Sequence, residues 1–150
     1  MRAINHAMTG AIIGLSVAAP IAIPLAFVSH YAIDGLPHHD SKDKSLKKVT
    51  LFLISDIILC LALAFIIFIV RPDYWWLAIL CAFLATSADF MWFSGYNDLR
   101  RGKTPRPLAT RNAIVILHQK VQWFQKPIGL IVEIAWAILA GGCLYFLLRS

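Results

Sequence analysis

The chemistry-bearing residues of this chain are few and grouped. The densest run is Ser29-His30-Tyr31-Ala32-Ile33-Asp34-Gly35-Leu36-Pro37-His38-His39-Asp40. His30 and Asp34 are four apart and share one face of a helix. Pro37 ends that helix and puts His38, His39 and Asp40 into the following turn. Imidazoles and carboxylates at this spacing are donors for a transition metal. The plainer alternative is an interfacial His–Asp hydrogen bond, which leaves the neighbouring His38, His39 and Asp40 unexplained. His118-Gln119-Lys120-Val121-Gln122 is a second polar group, with His118 and Gln122 on one helical face.

Lipid is the expected solvent around these groups. The 150 residues are 59% hydrophobic, above the roughly 45–50% of soluble domains, and the length suits one domain, 1–150. Val49–Val70, Tyr74–Tyr96 and Pro127–Leu148 each reach the roughly 20 residues of a bilayer crossing. They carry Asp56, Asp89 and Glu133 as their acids. Arg71-Pro72-Asp73 joins the first two spans as a hairpin. Pro20 and Pro24 divide the apolar N-terminal stretch, and a helical hairpin of about Asn5–Ala18 and Ile21–Leu36 brings His6 back to His30 and Asp34. Gly10 and Gly14 give a small-residue face for close helix approach. Arg111–Phe124 reads as an interfacial helix. The expected fold is all-α and polytopic: a re-entrant N-terminal hairpin, three transmembrane helices and the interfacial helix. The N-terminus lacks the pattern of a cleavable signal peptide. Cys60, Cys81 and Cys143 are isolated, with no C-x-x-C spacing.

The formal charge of +6 does not call for nucleic acid. With both hairpin ends on one side, twelve of the fourteen Lys and Arg fall on one face, against Arg71 and Arg149 on the other. That face is expected to be cytoplasmic and to meet anionic lipid head groups. Asp56, Asp89 and Glu133 each lie about 9–11 Å below it at helical rise. Lone acids in spans pair, coordinate or line a wet cavity. Three at one depth predict a shared polar pocket near His6, His30, Asp34 and His38.

The pattern Asn5-His6-x-x-x-Gly10, Ser29-His30-x-x-x-Asp34-x-x-Pro37-His38-x-Asp40, Asp89 in a later span, and His118-Gln119-x-x-Gln122 resembles a family of small bacterial inner-membrane proteins described as metal-dependent hydrolases. In its H-x-x-x-D it is also distantly similar to zinc-dependent phospholipases C. Ala88-Asp89 stands where the family has Pro-Asp. The resemblance implies a hydrolase, a divalent metal, an α-helical membrane fold and an inner-membrane location, and supplies no substrate.

Together these readings assign metal ligation to His6, His30, Asp34, His38, Asp56, Asp89 and His118, with Asp34 the candidate bridging carboxylate. Asp34, His39 and Glu133 are the expected catalytic residues, His39 orienting ligands and Glu133 binding metal, acting as base or partnering His118. Arg111, Lys120 and Gln122 are expected to hold substrate. The expected reaction is hydrolysis of a phosphate ester or anhydride of a membrane lipid at the cytoplasmic face, with one or two divalent ions, zinc first and manganese or magnesium as alternatives. A divalent-cation carrier or channel would use the same donors but needs polar residues through to the far side. A noncatalytic membrane adaptor leaves the His/Asp cluster unexplained. A homo-oligomer is left open.

Overall fold

The structure, a computed structural model, describes residues 1–39, 45–103, 116, 120, 121 and 128–149. Among them the chain is helical. α1 spans Ala3–Ser16, α2 Ala19–Asp34, α3 Leu46–Val70 and α4 Trp75–Ser87. A 3₁₀ segment, Ala88–Trp92, leads into α5, Phe93–Arg100, and α6 spans Gly129–Leu147. The predicted interfacial helix falls mostly outside the described residues, which retain only Ile116, Lys120 and Val121 of it, with Lys120 exposed.

α1 and α2 form the expected N-terminal hairpin, turning at Val17-Ala18. Pro20 lies in the first turn of α2, where its missing N–H removes no helical bond. Pro24 lies inside that helix. α1 is the central element and touches α2, α3, α4 and α6. Its small-residue face, Gly10 and Gly14, meets α4 rather than α2: a Cβ on Gly10 would stand 2.8 Å from the Ala85 Cβ, and one on Gly14 would stand 2.6 Å from the Ala78 Cα. The buried apolar residues are mainly alanines, among them Ala7, Ala11, Ala22, Ala26, Ala78 and Ala85. The interior is thus built from backbones in close approach rather than from large side chains.

The large apolar side chains point outward. On α3 only Ile67 is buried, while Leu51, Ile58, Leu61 and Phe65 are exposed. α3 and α6 are both long and apolar enough to cross a membrane. At its far end α3 turns tightly into α4. Arg71 and Tyr74 adopt left-handed backbone angles (φ 49° and 61°), and the Arg71 guanidinium lies over Phe68 and Trp75, 5.1 and 5.6 Å from their ring centroids. These cation–π contacts offset part of the strain.

The predicted continuous span Tyr74–Tyr96 is instead interrupted: α4 gives way to the 3₁₀ segment at Ala88. Thr86 and Ser87 precede the change, and both hydroxyls donate back to carbonyls of their own helix, Thr86 to Phe83 at 2.9 Å and Ser87 to Leu84 at 2.7 Å. Such back-bonding competes with the helical ladder and bends it. The tightened turn is the one that carries Asp89.

Candidate metal centre

The site is assembled by the hairpin and sealed by α4. His6 comes from the first turns of α1, and His30 and Asp34 from the last turns of α2. All three are fully buried. The imidazoles stack with centroids 4.1 Å apart and planes inclined by 22°. His6 Nε2 lies 3.1 Å from Asp34 Oδ1, and His30 Nε2 lies 3.3 Å from Asp34 Oδ2. One donor atom from each residue fits within 4.8 Å of the others, so the group could hold a metal ion.

Two details bear on that use. First, His30 Nδ1 donates to the Ala85 carbonyl at 2.7 Å. A carbonyl only accepts, so Nδ1 carries a proton and Nε2 is aimed at two carboxylates: Asp34 at 3.3 Å and Asp89 at 3.8 Å. A proton or a cation on Nε2 would lie between the ring and both of them. Donation of the second ring nitrogen to a backbone carbonyl is also how metal-bound histidines are oriented. Second, neither ring nitrogen of His6 makes a hydrogen bond of good geometry among the described residues, although both are buried; Nε2 stands 3.1 Å from Asp34 Oδ1, an oxygen that the Met1 ammonium also contacts at 2.8 Å. A buried polar atom without a partner costs about 1–3 kcal/mol. Two imidazoles and one carboxylate match the three-ligand set of catalytic zinc sites, which keep a fourth position for water or substrate.

The other candidate residues divide into three groups. Asp89 adjoins the cluster through His30, with its side chain 31% exposed. Asp56 is engaged elsewhere: Arg2 donates to it through Nε at 2.9 Å and pairs with it through Nη2 at 2.8 Å. The Ala3 N–H also reaches its Oδ2, at 3.4 Å. Asp56 therefore acts as a cap supplied from α3 to the N-terminus of α1, where negative charge is favoured. His38 and Glu133 are buried at the junction with α6. The His38 backbone lies against Gly129, where any Cβ would collide with it. His38 Nδ1 donates to the Leu36 carbonyl at 3.0 Å, and the exposed His39 gives its backbone N–H to Glu133 Oε1 at 3.3 Å. Arg111, His118 and Gln122 lie outside the described residues.

The sequence reading did not assign roles to Arg2, Asn5 or the terminal amine. Asn5 is buried and donates to the Glu133 carbonyl at 3.2 Å. The Met1 amino group contacts Asp34 Oδ1 at 2.8 Å. With Arg2, Asn5 and the Met1 amine, the start of α1 thus reaches Asp56, the Glu133 backbone carbonyl and Asp34. Of the three acids predicted at one depth, Asp56 and Asp89 line one cleft, while the Glu133 carboxylate accepts from the His39 N–H. Arg2 was legible as the basic residue nearest the hairpin's start; nothing in its spacing pointed to Asp56.

No family model, curated protein or solved structure matches this chain.

Proposed function

We propose that this chain is a membrane-embedded, metal-dependent hydrolase that cleaves a phosphate ester or anhydride of a lipid. The observation that carries the proposal is the buried His6-His30-Asp34 group, with its oriented His30 and both imidazoles facing Asp34. The donor set favours zinc, in keeping with imidazole and carboxylate chemistry. The three gathered residues suit one ion; a second would need further donors such as His38 and Glu133. The resemblance to bacterial inner-membrane hydrolases points the same way. The membrane location draws on α3, which is strongly apolar yet only 6% buried along its best window. A core helix of a soluble protein would be covered.

A bound divalent cation lowers the pKa of its water and polarises a phosphoryl oxygen. The chain's own residues do the rest. Asp34 and the two histidines would hold the ion, the Ala85 carbonyl holds the His30 ring, and partly exposed Asp89 would take a proton from the attacking water and return it to the leaving oxygen. The water oxygen would form the new P–O bond as the P–O bond to the lipid-side or head-group oxygen breaks. Lys120 and Arg111, with Gln122, would supply substrate contacts, and the site would face the cytoplasm.

The test is elemental analysis of the purified protein beside hydrolysis of mixed lipid–detergent micelles. The wild type should hold about one equivalent of zinc and release phosphate or head group in a chelator-sensitive way. Asp34→Asn and His30→Ala should lose both metal and release while still inserting. Full metal content in both variants would remove the cluster as the site. Zinc uptake into proteoliposomes with no hydrolysis of any lipid would replace the hydrolase by a carrier.

A further inference from the structure

Beside the metal cluster runs a cleft of about 480 Å³ between α3 and the α4–3₁₀–α5 segment, within the roughly 300–1,000 Å³ of ligand sites. One wall is a single helical face of α3: Val49, Leu53, Ile57, Cys60 and Leu61. The opposite wall presents Phe83, Phe90 and Phe93. The helices are antiparallel across it, so Leu61 faces the Phe83 end and Val49 the Tyr96 end. Asp56 and Asp89 both line it between these ends.

We infer that this cleft holds one aliphatic chain of the substrate, with the scissile polar linkage at the level of Asp89. The inference rests on the proposed hydrolase and names the part of its substrate that the protein grips. Three observations carry it. The first is lining. Along the roughly 18 Å of helix from Val49 to Leu61 the walls are aliphatic and aromatic, and Asp56 and Asp89 are the acids among the described lining residues. The second is continuity. Asp89 lines the cleft and also stands 3.8 Å from His30 Nε2, so a bound chain would deliver its polar end to the cluster. The third is charge. Asp56 is neutralised by Arg2 at 2.8 Å, so the cleft beyond Asp89, toward Ile57, Leu61 and Phe83, presents hydrocarbon.

The test is hexadecyl phosphate carrying a diazirine about six carbons from its phosphate, which reaches the roughly 8 Å from the level of Asp89 to Leu61 and Phe83, photolysed with the intact protein in short-chain detergent, followed by peptide mapping. Carbene insertion should concentrate on residues 57–61 and 83–86 and be competed by unlabelled hexadecyl phosphate. A methyl-branched isoprenyl phosphate as competitor distinguishes acyl from isoprenoid substrates by which competes better. Ile57→Trp should lower competed labelling roughly tenfold, the effect of displacing two methylenes, with zinc content unchanged. Labelling should persist in Asp34→Asn, because the chain's grip does not need the metal; cleft labelling without any hydrolysis therefore supports the chain site even where the hydrolase reading fails. Uncompeted labelling spread evenly over Leu51, Ile58, Phe65 and α6 would mean surrounding lipid only and overturn the inference. Metal-dependent hydrolysis with no cleft labelling would overturn it too and leave the hydrolase standing.

Discussion

Gly10→Ala adds one methyl group four residues from His6, and its effect should reach the candidate metal site. The new Cβ would stand 2.7 Å from the Cys81 carbonyl carbon and 2.8 Å from the Ala85 Cβ. Carbon atoms pack best at about 3.5–4.0 Å, so α1 and α4 must separate by roughly 0.7–1 Å. Neither contact is the flexible end of a long side chain that could swing away. Overpacking of this kind costs about 1–3 kcal/mol, and the better helix propensity of alanine returns about 1 kcal/mol. The net loss is about 0–2 kcal/mol, or up to about 8 °C in Tm for a chain of this size. The larger consequence is geometric. His6 rides on α1, whereas His30 is anchored to α4 through the Ala85 carbonyl. Metal sites tolerate about 0.2 Å of ligand displacement, so zinc affinity should fall by about 10–100-fold, as for loss of a supporting contact. Gly141→Ala is the control: no atom lies within 4 Å of its added Cβ, and it should be neutral or stabilising by up to about 1 kcal/mol. Thermal melts in detergent and zinc titration of both variants provide the assay. Equal stability and equal zinc affinity for Gly10→Ala and Gly141→Ala would refute the close α1–α4 seam and its coupling to the site.

Two further outcomes follow from the polar contacts and the charge distribution. Arg2→Met should lower stability by about 1 kcal/mol by leaving Asp56 without its partner, a figure held down because Arg2 is one-third exposed. Arg2→Met with Asp56→Leu should recover that loss in the same melts, and failure to recover would mean the pair is incidental. In a variant lacking Cys60, Cys81 and Cys143, cysteines at positions 47 and 103 should be labelled from the cytoplasmic side and one at position 73 from outside. Outside labelling at 47 would reverse the topology on which a cytoplasmic site depends.

Much of the fold could be read from composition and punctuation. The hairpin was legible because Pro20 marks a helix start and because only a reversal brings His6 to His30. Long apolar runs marked α3 and α6. The partner of Gly10 and Gly14 was not legible: a small-residue face announces close approach but does not say which helix approaches, and here it is α4. The break at Ala88 was hidden because Thr86 and Ser87 are ordinary in an apolar helix until their hydroxyls are seen donating to their own carbonyls. At the site, the four-residue spacing exposed His30 and Asp34. The separate employment of Asp56 was invisible because equal depth along three helices does not fix which side chains turn toward one another. That information lies in the azimuth of each helix, set by packing across the whole bundle.

The start of α1 also imposes an order on assembly. Its polar groups leave the ribosome first, yet their partners come late: Arg2 waits 54 residues for Asp56, and Asn5 waits 128 for the Glu133 carbonyl. At roughly 5–20 residues per second, the last of these is made about 6–26 s after Asn5 is synthesised. During that interval the hairpin holds two histidines and an aspartate without the helices that later enclose them. If His6, His30 and Asp34 hold a metal ion, its early capture would shield those groups while the rest of the chain arrives, and shortage of the metal would then act on the protein's assembly before it acted on the finished molecule.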